Sequence, residues 1–201
     1  MITLNLPDTN NKTVNWNRLY GSSLALAVVE AARTYSDGPV VLIVEDIAHA
    51  DSIKSEINFY SAPGQKLYHL RDWETLPYDV FSPHQDIISE RLKTLYQLPE
   101  SAAGDIVILP VTTLLQKLTP RQYIKDSVLI FKTGQTLDIQ QFRTNLESSG
   151  YLNVSQVMEH GEFAVRGSII DLYPSGHDMP FRIDLFDTDI DSIRRFDPET
   201  Q

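Results

Sequence analysis

Cysteine is absent from the 201 residues, which excludes disulfides and thiolate metal sites and agrees with a reducing compartment. No apolar run approaches the roughly 20 residues that a membrane-spanning helix requires. The N-terminus, Met-Ile-Thr-Leu-Asn-Leu-Pro, lacks the basic region, apolar core and small-residue cleavage site of a secretory signal. A cytoplasmic protein with no membrane partner is therefore expected. Positive charge is also scarce. The 17 Lys and Arg against 27 Asp and Glu leave a formal charge of -10, which repels a phosphate backbone and argues against unaided DNA binding.

Lysine is missing where a motif most needs it. Leu19-Tyr-Gly-Ser-Ser-Leu-Ala-Leu-Ala-Val-Val-Glu30 reads as the glycine turn and helix of a phosphate-binding loop. A working loop needs glycines for close backbone approach, a lysine on the β- and γ-phosphates, and a Ser or Thr on magnesium. Gly21 makes the turn, but Ser23 stands in for the second glycine, Leu24 for the lysine and Ala25 for the hydroxyl, with no lysine between Lys12 and Lys54. The loop is degenerate. Glu45-Asp46, after the apolar run Val40 to Val44, resembles the acidic end of a magnesium-holding strand. Without a lysine partner, Asp46 is better read as the cap of the next helix.

Leu24, Ala27, Val28, Ala31 and Ala32 recur at helical spacing after Ser22 or Ser23 as an N-cap. Val40–Val44 suits a buried parallel strand, 47–60 a helix, Lys66–Leu70 a short strand, and Ile106–Leu109 another buried strand. This alternation predicts a parallel sheet with helices on both faces. The loop from Arg71 to Asp86 is rich in aromatics and prolines, with Trp73, Tyr78 and Phe81 expected mostly in the core. It ends in Ser82, Pro83 and Gln85, a capping box that launches a helix through Ile88, Leu92 and Leu95.

A second pattern begins near residue 124. Ser127–Phe131 reads as a strand, Asp138 and Gln141 as a capping box, Leu137 and Phe142 as its hydrophobic staple, and Gly150 as the helix stop. Strands follow at Glu162–Val165, Ser168–Tyr173, Phe181–Asp187 and Ser192–Phe196. The fold class expected is α/β over 1–123 followed by a smaller α+β domain over 124–201.

The histidines at 49, 69, 84, 160 and 177 show no paired ligand spacing. His160 and Glu162 flank Gly161, which a turn before a strand explains without acid/base chemistry. Phe181-Arg-Ile-Asp-Leu-Phe-Asp187 is more informative. Period two sends Phe181, Ile183 and Leu185 to the core and leaves Arg182, Asp184 and Phe186 on the other face. An exposed phenylalanine beside an arginine has the composition of an interface anchor, and Arg166 could extend that surface.

Asp72-Trp-Glu-Thr-Leu-Pro-Tyr-Asp79, Phe81-Ser-Pro-His-Gln-Asp-Ile-Ile-Ser89, Gln156-Val-Met-Glu-His-Gly-Glu162, Arg166-Gly167 and Asp171-Leu172 together resemble the N-terminal region of bacterial transcription-repair coupling factors (Mfd). The resemblance spans essentially the whole chain. It implies a helicase-like α/β lobe of degenerate P-loop type, interrupted by an inserted domain that binds the excision-repair protein UvrA, as in UvrB. The family's two UvrA-binding arginines and phenylalanine match Arg166, Arg182 and Phe186. The resemblance implies no catalytic residue, no metal site and no cofactor here. ATP, magnesium, RNA polymerase and double-stranded DNA would be engaged by later parts of the family protein, beyond Gln201. It further implies that a C-terminal domain masks the UvrA-binding face until activation. The rival expectation is a residual nucleotide-binding or DNA-remodelling groove near Gly21, Glu45 and Asp46, and a third is direct contact of the inserted domain with damaged DNA.

Overall fold

The computed structural model describes residues 6–7, 13–76, 80–126 and 128–200. In chain order the elements are α1 (Ser23–Thr34), β1 (Val40–Val44), α2 (Ile47–Tyr60), β2 (Leu67–His69), α3 (Gln85–Gln97), β3 (Ile106–Pro110), α4 (Val111–Leu114), α5 (Arg121–Asp126) and α6 (Ile139–Ser148). Strands β4 (Leu152–Asn153), β5 (Glu162–Arg166), β6 (Ile169–Leu172), β7 (Phe181–Phe186) and β8 (Asp189–Arg195) follow. The protein is mixed α/β, in two compact units. One comprises Met1–Glu74 with Gln97–Leu118, the other Thr75–Tyr96 with Thr119–Gln201. Segment 75–96 thus accompanies the second unit, although the sequence division at 123/124 groups it with the first.

In the first unit β3 lies between β1 and β2, all parallel, in the order β1-β3-β2. Ala25, Val28, Val29 and Ala32 of α1 and Ala50, Ile53 and Ile57 of α2 form one core with Val44, Ile106 and Ile108. Small residues on α1 let it sit close to the sheet, and the Asp46 carboxylate caps α2 by accepting from the His49 amide at 2.8 Å. Two expectations need correction. Ser22 occupies the N-cap position of α1 without capping it, because its hydroxyl instead meets the Tyr60 hydroxyl at 2.9 Å. The other concerns β1, which is not buried throughout. As an edge strand it exposes Val41 and Ile43, while central β3 is buried along its whole length.

Asp72, just after β2, is buried and accepts from the Thr112 hydroxyl at 2.5 Å, the Thr113 hydroxyl at 3.1 Å, the Gln116 amide at 3.2 Å and the Glu74 N–H at 3.2 Å. Burial alone would raise its pKa, but these four donors favour the carboxylate and bring it below the ordinary 3.8. A pKa lower in the folded than in the unfolded chain gives stabilisation that is complete above the unfolded value and lost as pH falls through the folded one. Asp72→Asn is expected to cost about 1–3 kcal/mol in urea unfolding at pH 7. Its penalty relative to wild type should shrink as pH drops below the unfolded value; an equal penalty at pH 7 and pH 2 would show that the charge is irrelevant.

The second unit is a five-stranded sheet, β4-β5-β6-β7-β8, antiparallel except for the short parallel pair β4 and β5. The four longer strands expected from sequence all form. Phe142 and Leu146 of α6 pack on its inner face against Phe163, Ile170, Leu172, Ile183, Leu185 and Ile190. Asp138 caps α6 by accepting from the amides of Gln140 and Gln141, and Leu137 joins Phe142 in the core. The reciprocal half of the capping box is missing, because the Gln141 side chain donates to Asn145 instead. At the other end Gly150 (φ 87°) donates to the Glu147 carbonyl and Tyr151 to that of Leu146, the paired bonds of a Schellman stop.

The strand expected at Ser127–Phe131 does not form over 128–131, and Ser127 lies outside the described residues. Phe131 is used differently, packing edge-on against Phe142 at 5.3 Å. Helix α3 also departs from expectation. It starts at Gln85, where His84 rather than Ser82 caps it: the His84 carbonyl accepts from Ile88 and its Nδ1 from the Asp86 amide at 3.3 Å. Its buried face is Ile87, Ser89, Arg91 and Thr94, with Ile88, Leu92 and Leu95 only half-buried. Polar bonds explain that rotation. The Ser89 hydroxyl accepts from the Gly176 amide at 2.7 Å, Asp86 meets His160 Nδ1 at 2.9 Å, and Lys93 donates to Asp178 at 3.2 Å. In the preceding loop Trp73 is half-buried and Phe81 is exposed rather than in the core, while Tyr78 lies outside the described residues.

Candidate functional site

The sheet of the second unit buries one face under α6 and presents polar side chains on the other. Two tight hairpins set the outer face. Gly167 (φ 64°) opens the turn between β5 and β6, and Asp187 (φ 56°) the turn between β7 and β8, the left-handed first position that two-residue hairpins favour. The register then aligns Asp171, Arg182 and Arg194 in one cross-strand row, and Arg166, Ile169, Asp184 and Ser192 in the next. Phe186, two residues beyond Asp184 on β7, is 80% exposed.

Asp171 is the centre of this face, at 0% exposure. Its Oδ1 accepts from Arg182 Nε at 2.7 Å and its Oδ2 from the same guanidinium at 2.9 Å, while Arg166 donates to Oδ2 from the opposite side. The fork of Arg182 matches the carboxylate bidentately, and this bond raises the guanidinium's already high proton affinity. Arg182 also lies 4.8 Å over the Phe196 ring, within cation–π range. A second carboxylate orders the far edge. Asp184 accepts from the Ser192 hydroxyl at 2.9 Å and from Arg194 at 2.6 Å. Burial would raise the Asp184 pKa, but those two bonds and the positive charge of Arg194 and Arg182 bring it below its ordinary value.

The structure thus brings Arg166, Arg182 and Phe186 onto one surface. Arg166 is not on a strand adjacent to β7, since β6 intervenes and its Asp171 joins the two arginines. The sequence motifs include Asp171 but assign it no role, and Arg194 and Phe196 are not among them. Asp171 sits between Ile170 and Leu172, which alone invites a core reading. Only the cross-strand register shows Arg182 directly opposite it and Arg166 one row along on β5.

Elsewhere the expected phosphate loop is filled by its own side chains. Leu24 packs against the core of the first unit and Ala25 is fully buried in it. The Ser23 amide and hydroxyl both donate to the Tyr20 carbonyl, at 3.2 and 2.7 Å. In the frame G-x-x-x-x-G-K-[ST] set by Leu24 and Ala25, the first glycine position is Arg18, which retains a left-handed φ of 62°. Asp46 is occupied as a helix cap, and Glu45 beside it is exposed. His160 bonds Asp86 and the His177 carbonyl, and Glu162 accepts from the amides of Met158 and Glu159, so this pair closes a turn. Among the described residues no group of three or more His, Asp or Glu is placed to hold a metal, and no helix is long and apolar enough to cross a membrane.

A sheet that buries one face under a helix and offers paired arginines and an exposed phenylalanine on the other has the composition of a protein-interaction surface. Residues 129–201 match the UvrB interaction domain. Over nearly its whole length the chain is also similar to transcription-repair coupling factors. It is 49% identical over 183 residues to that of Escherichia coli (strain K12), covering 91% of this chain and 16% of the relative. To that of Haemophilus influenzae it is 44% identical over 192 residues, 96% of this chain and 16% of the relative. The Staphylococcus aureus (strain USA300) protein is 35% identical over 184 residues, 90% of this chain and 15% of the relative. The chain belongs to the transcription-repair coupling factor family and spans about one-sixth of the length of these relatives.

Proposed function

We propose that this chain is a non-catalytic module that recruits UvrA, and that it docks through Arg166, Arg182 and Phe186. The observation that carries this reading is the buried Asp171 holding two arginines beside an exposed phenylalanine, within the unit that contains the UvrB interaction domain. Arginine and aromatic side chains dominate binding hot spots because they combine large desolvated area with directional donors. An acidic surface of UvrA around a pocket for Phe186 is the matching partner.

In this reading the first unit is a helicase-like lobe whose phosphate chemistry has been lost and whose fold serves as scaffold. The residues present do not fit a nucleotide, because Leu24 and Ala25 give neither a cation nor a hydroxyl at the required positions. ATP-driven translocation on double-stranded DNA, displacement of stalled RNA polymerase and the use of ATP and magnesium would belong to other parts of the full-length protein. The rival groove at Gly21, Glu45 and Asp46 is disfavoured by the same geometry.

Calorimetric titration of the chain with purified UvrA tests the proposal. Wild type is expected to bind, and Arg182→Ala and Phe186→Ala each to lose about 2 kcal/mol or more of binding free energy. Phe186→Ala should leave thermal stability unchanged because its ring is exposed. Equal binding by all three proteins would remove the site, and no binding by wild type would remove the function.

A further inference from the structure

We infer that Arg194 is a further docking residue of the same face, held ready by Asp184, so that UvrA must offer acidic groups across four strands rather than three. This rests on the UvrA-docking reading above. Arg194 stands directly opposite Arg182 in the β7 and β8 register, and its side chain is 64% exposed. Neighbouring strands are separated by about 4.8 Å. Arg166, Arg182 and Arg194 therefore mark a cationic stripe roughly 15 Å wide across β5 to β8.

The charges on this stripe are arranged for a partner. Arg166 and Arg182 share a single carboxylate, Asp171, so that cluster keeps one net positive charge. Arg194 is bonded to Asp184 through one nitrogen, leaving the remaining donors of its guanidinium available. Asp184 is itself anchored by Ser192, which orients Arg194 before any partner arrives. An arginine already fixed in direction loses less side-chain entropy on binding than a free one. Its expected occupant is a carboxylate on UvrA that lies beyond the one facing Arg182. The alternation along β8 assigns Arg194 to the docking face, whereas Arg195 lies 5.8 Å from the Phe181 ring.

The experiment measures UvrA affinity and salt dependence with the whole 201-residue chain carrying Arg194→Glu, Arg194→Gln or the control Arg143→Glu. Arg143 lies on α6, which packs on the sheet's other face, and the control makes the same change in net charge. Arg194→Glu is expected to weaken binding at least roughly thirtyfold, and Arg194→Gln roughly fivefold with a shallower salt dependence, whereas Arg143→Glu should stay within about twofold. Arg194→Gln can still donate to Asp184, so it keeps the test valid if the glutamate variant fails to fold. Wild-type affinity in Arg194→Gln, with Phe186→Ala still defective, would overturn the role of Arg194 and leave the recruitment reading intact. Equal losses in Arg194→Glu and Arg143→Glu would overturn it too, by reducing the effect to net charge. If wild type does not bind, the recruitment reading falls and this inference with it.

Discussion

Asp171→Ala is expected to destabilise the chain by about 2–4 kcal/mol, measured as a lower urea midpoint for the second unit, and to weaken UvrA binding in samples that remain folded. The stability loss follows from what the carboxylate holds. It is wholly buried and accepts three bonds from two guanidinium groups. Removing one partner of such a cluster leaves the others partly desolvated without compensation, which costs about 3–5 kcal/mol when the stranded charge is fully buried. Here Arg166 is 48% exposed and Arg182 21%, so water recovers part of that loss. Asp171→Asn separates packing from charge. It keeps the shape but can no longer accept bidentately from Arg182, and its stability should fall between wild type and the alanine variant. An alanine variant as stable as wild type would mean that the cluster contributes nothing to the fold.

Of those arginines, Arg182 was legible as facing away from the core, because one face of an antiparallel sheet is buried and period two then fixes the direction of every residue along β7. Arg166 lies on β5, beyond the reach of that pattern. Phe181, Ile183 and Leu185 alternate with Arg182, Asp184 and Phe186, and the burial of Ile183 and Leu185 follows that pattern. What connects strands was not legible. The pairing of Asp171 with Arg182 depends on the register of β6 against β7, which is set across the 173–180 connection and which composition does not encode. Helix α3 shows the converse limit. Ile88, Leu92 and Leu95 have helical spacing, but Ser89, Asp86 and Lys93 find polar partners at 160 and 176–178 that turn a different stripe inward. Periodicity finds a helix more readily than it finds the face that helix buries. β1 was misread for a related reason: a continuous β-branched run suits a strand covered on both faces, yet an edge position leaves Val41 and Ile43 exposed.

Rebuilding the lost phosphate loop should fail in an informative way. The double variant Leu24→Lys, Ala25→Thr supplies the lysine and hydroxyl that the motif requires, yet it is expected to lose about 3–5 kcal/mol of stability and gain no measurable ATP affinity. Ala25 has no exposed surface, so threonine there adds volume to a packed interface between α1 and the sheet, at about 1–3 kcal/mol, and buries a hydroxyl, at about 1–3 kcal/mol if it finds no acceptor. Leu24 surrenders apolar contact with the same core. The new lysine would stand at a turn whose Ser23 amide is already bonded to the Tyr20 carbonyl, so one of the donors that would cradle a phosphate is committed. Fluorescent nucleotide titration with magnesium, alongside urea unfolding, reads both effects. Micromolar ATP binding by a folded double variant would mean that the loop retains a phosphate-binding backbone and that the rival groove at Gly21, Glu45 and Asp46 must be taken up again.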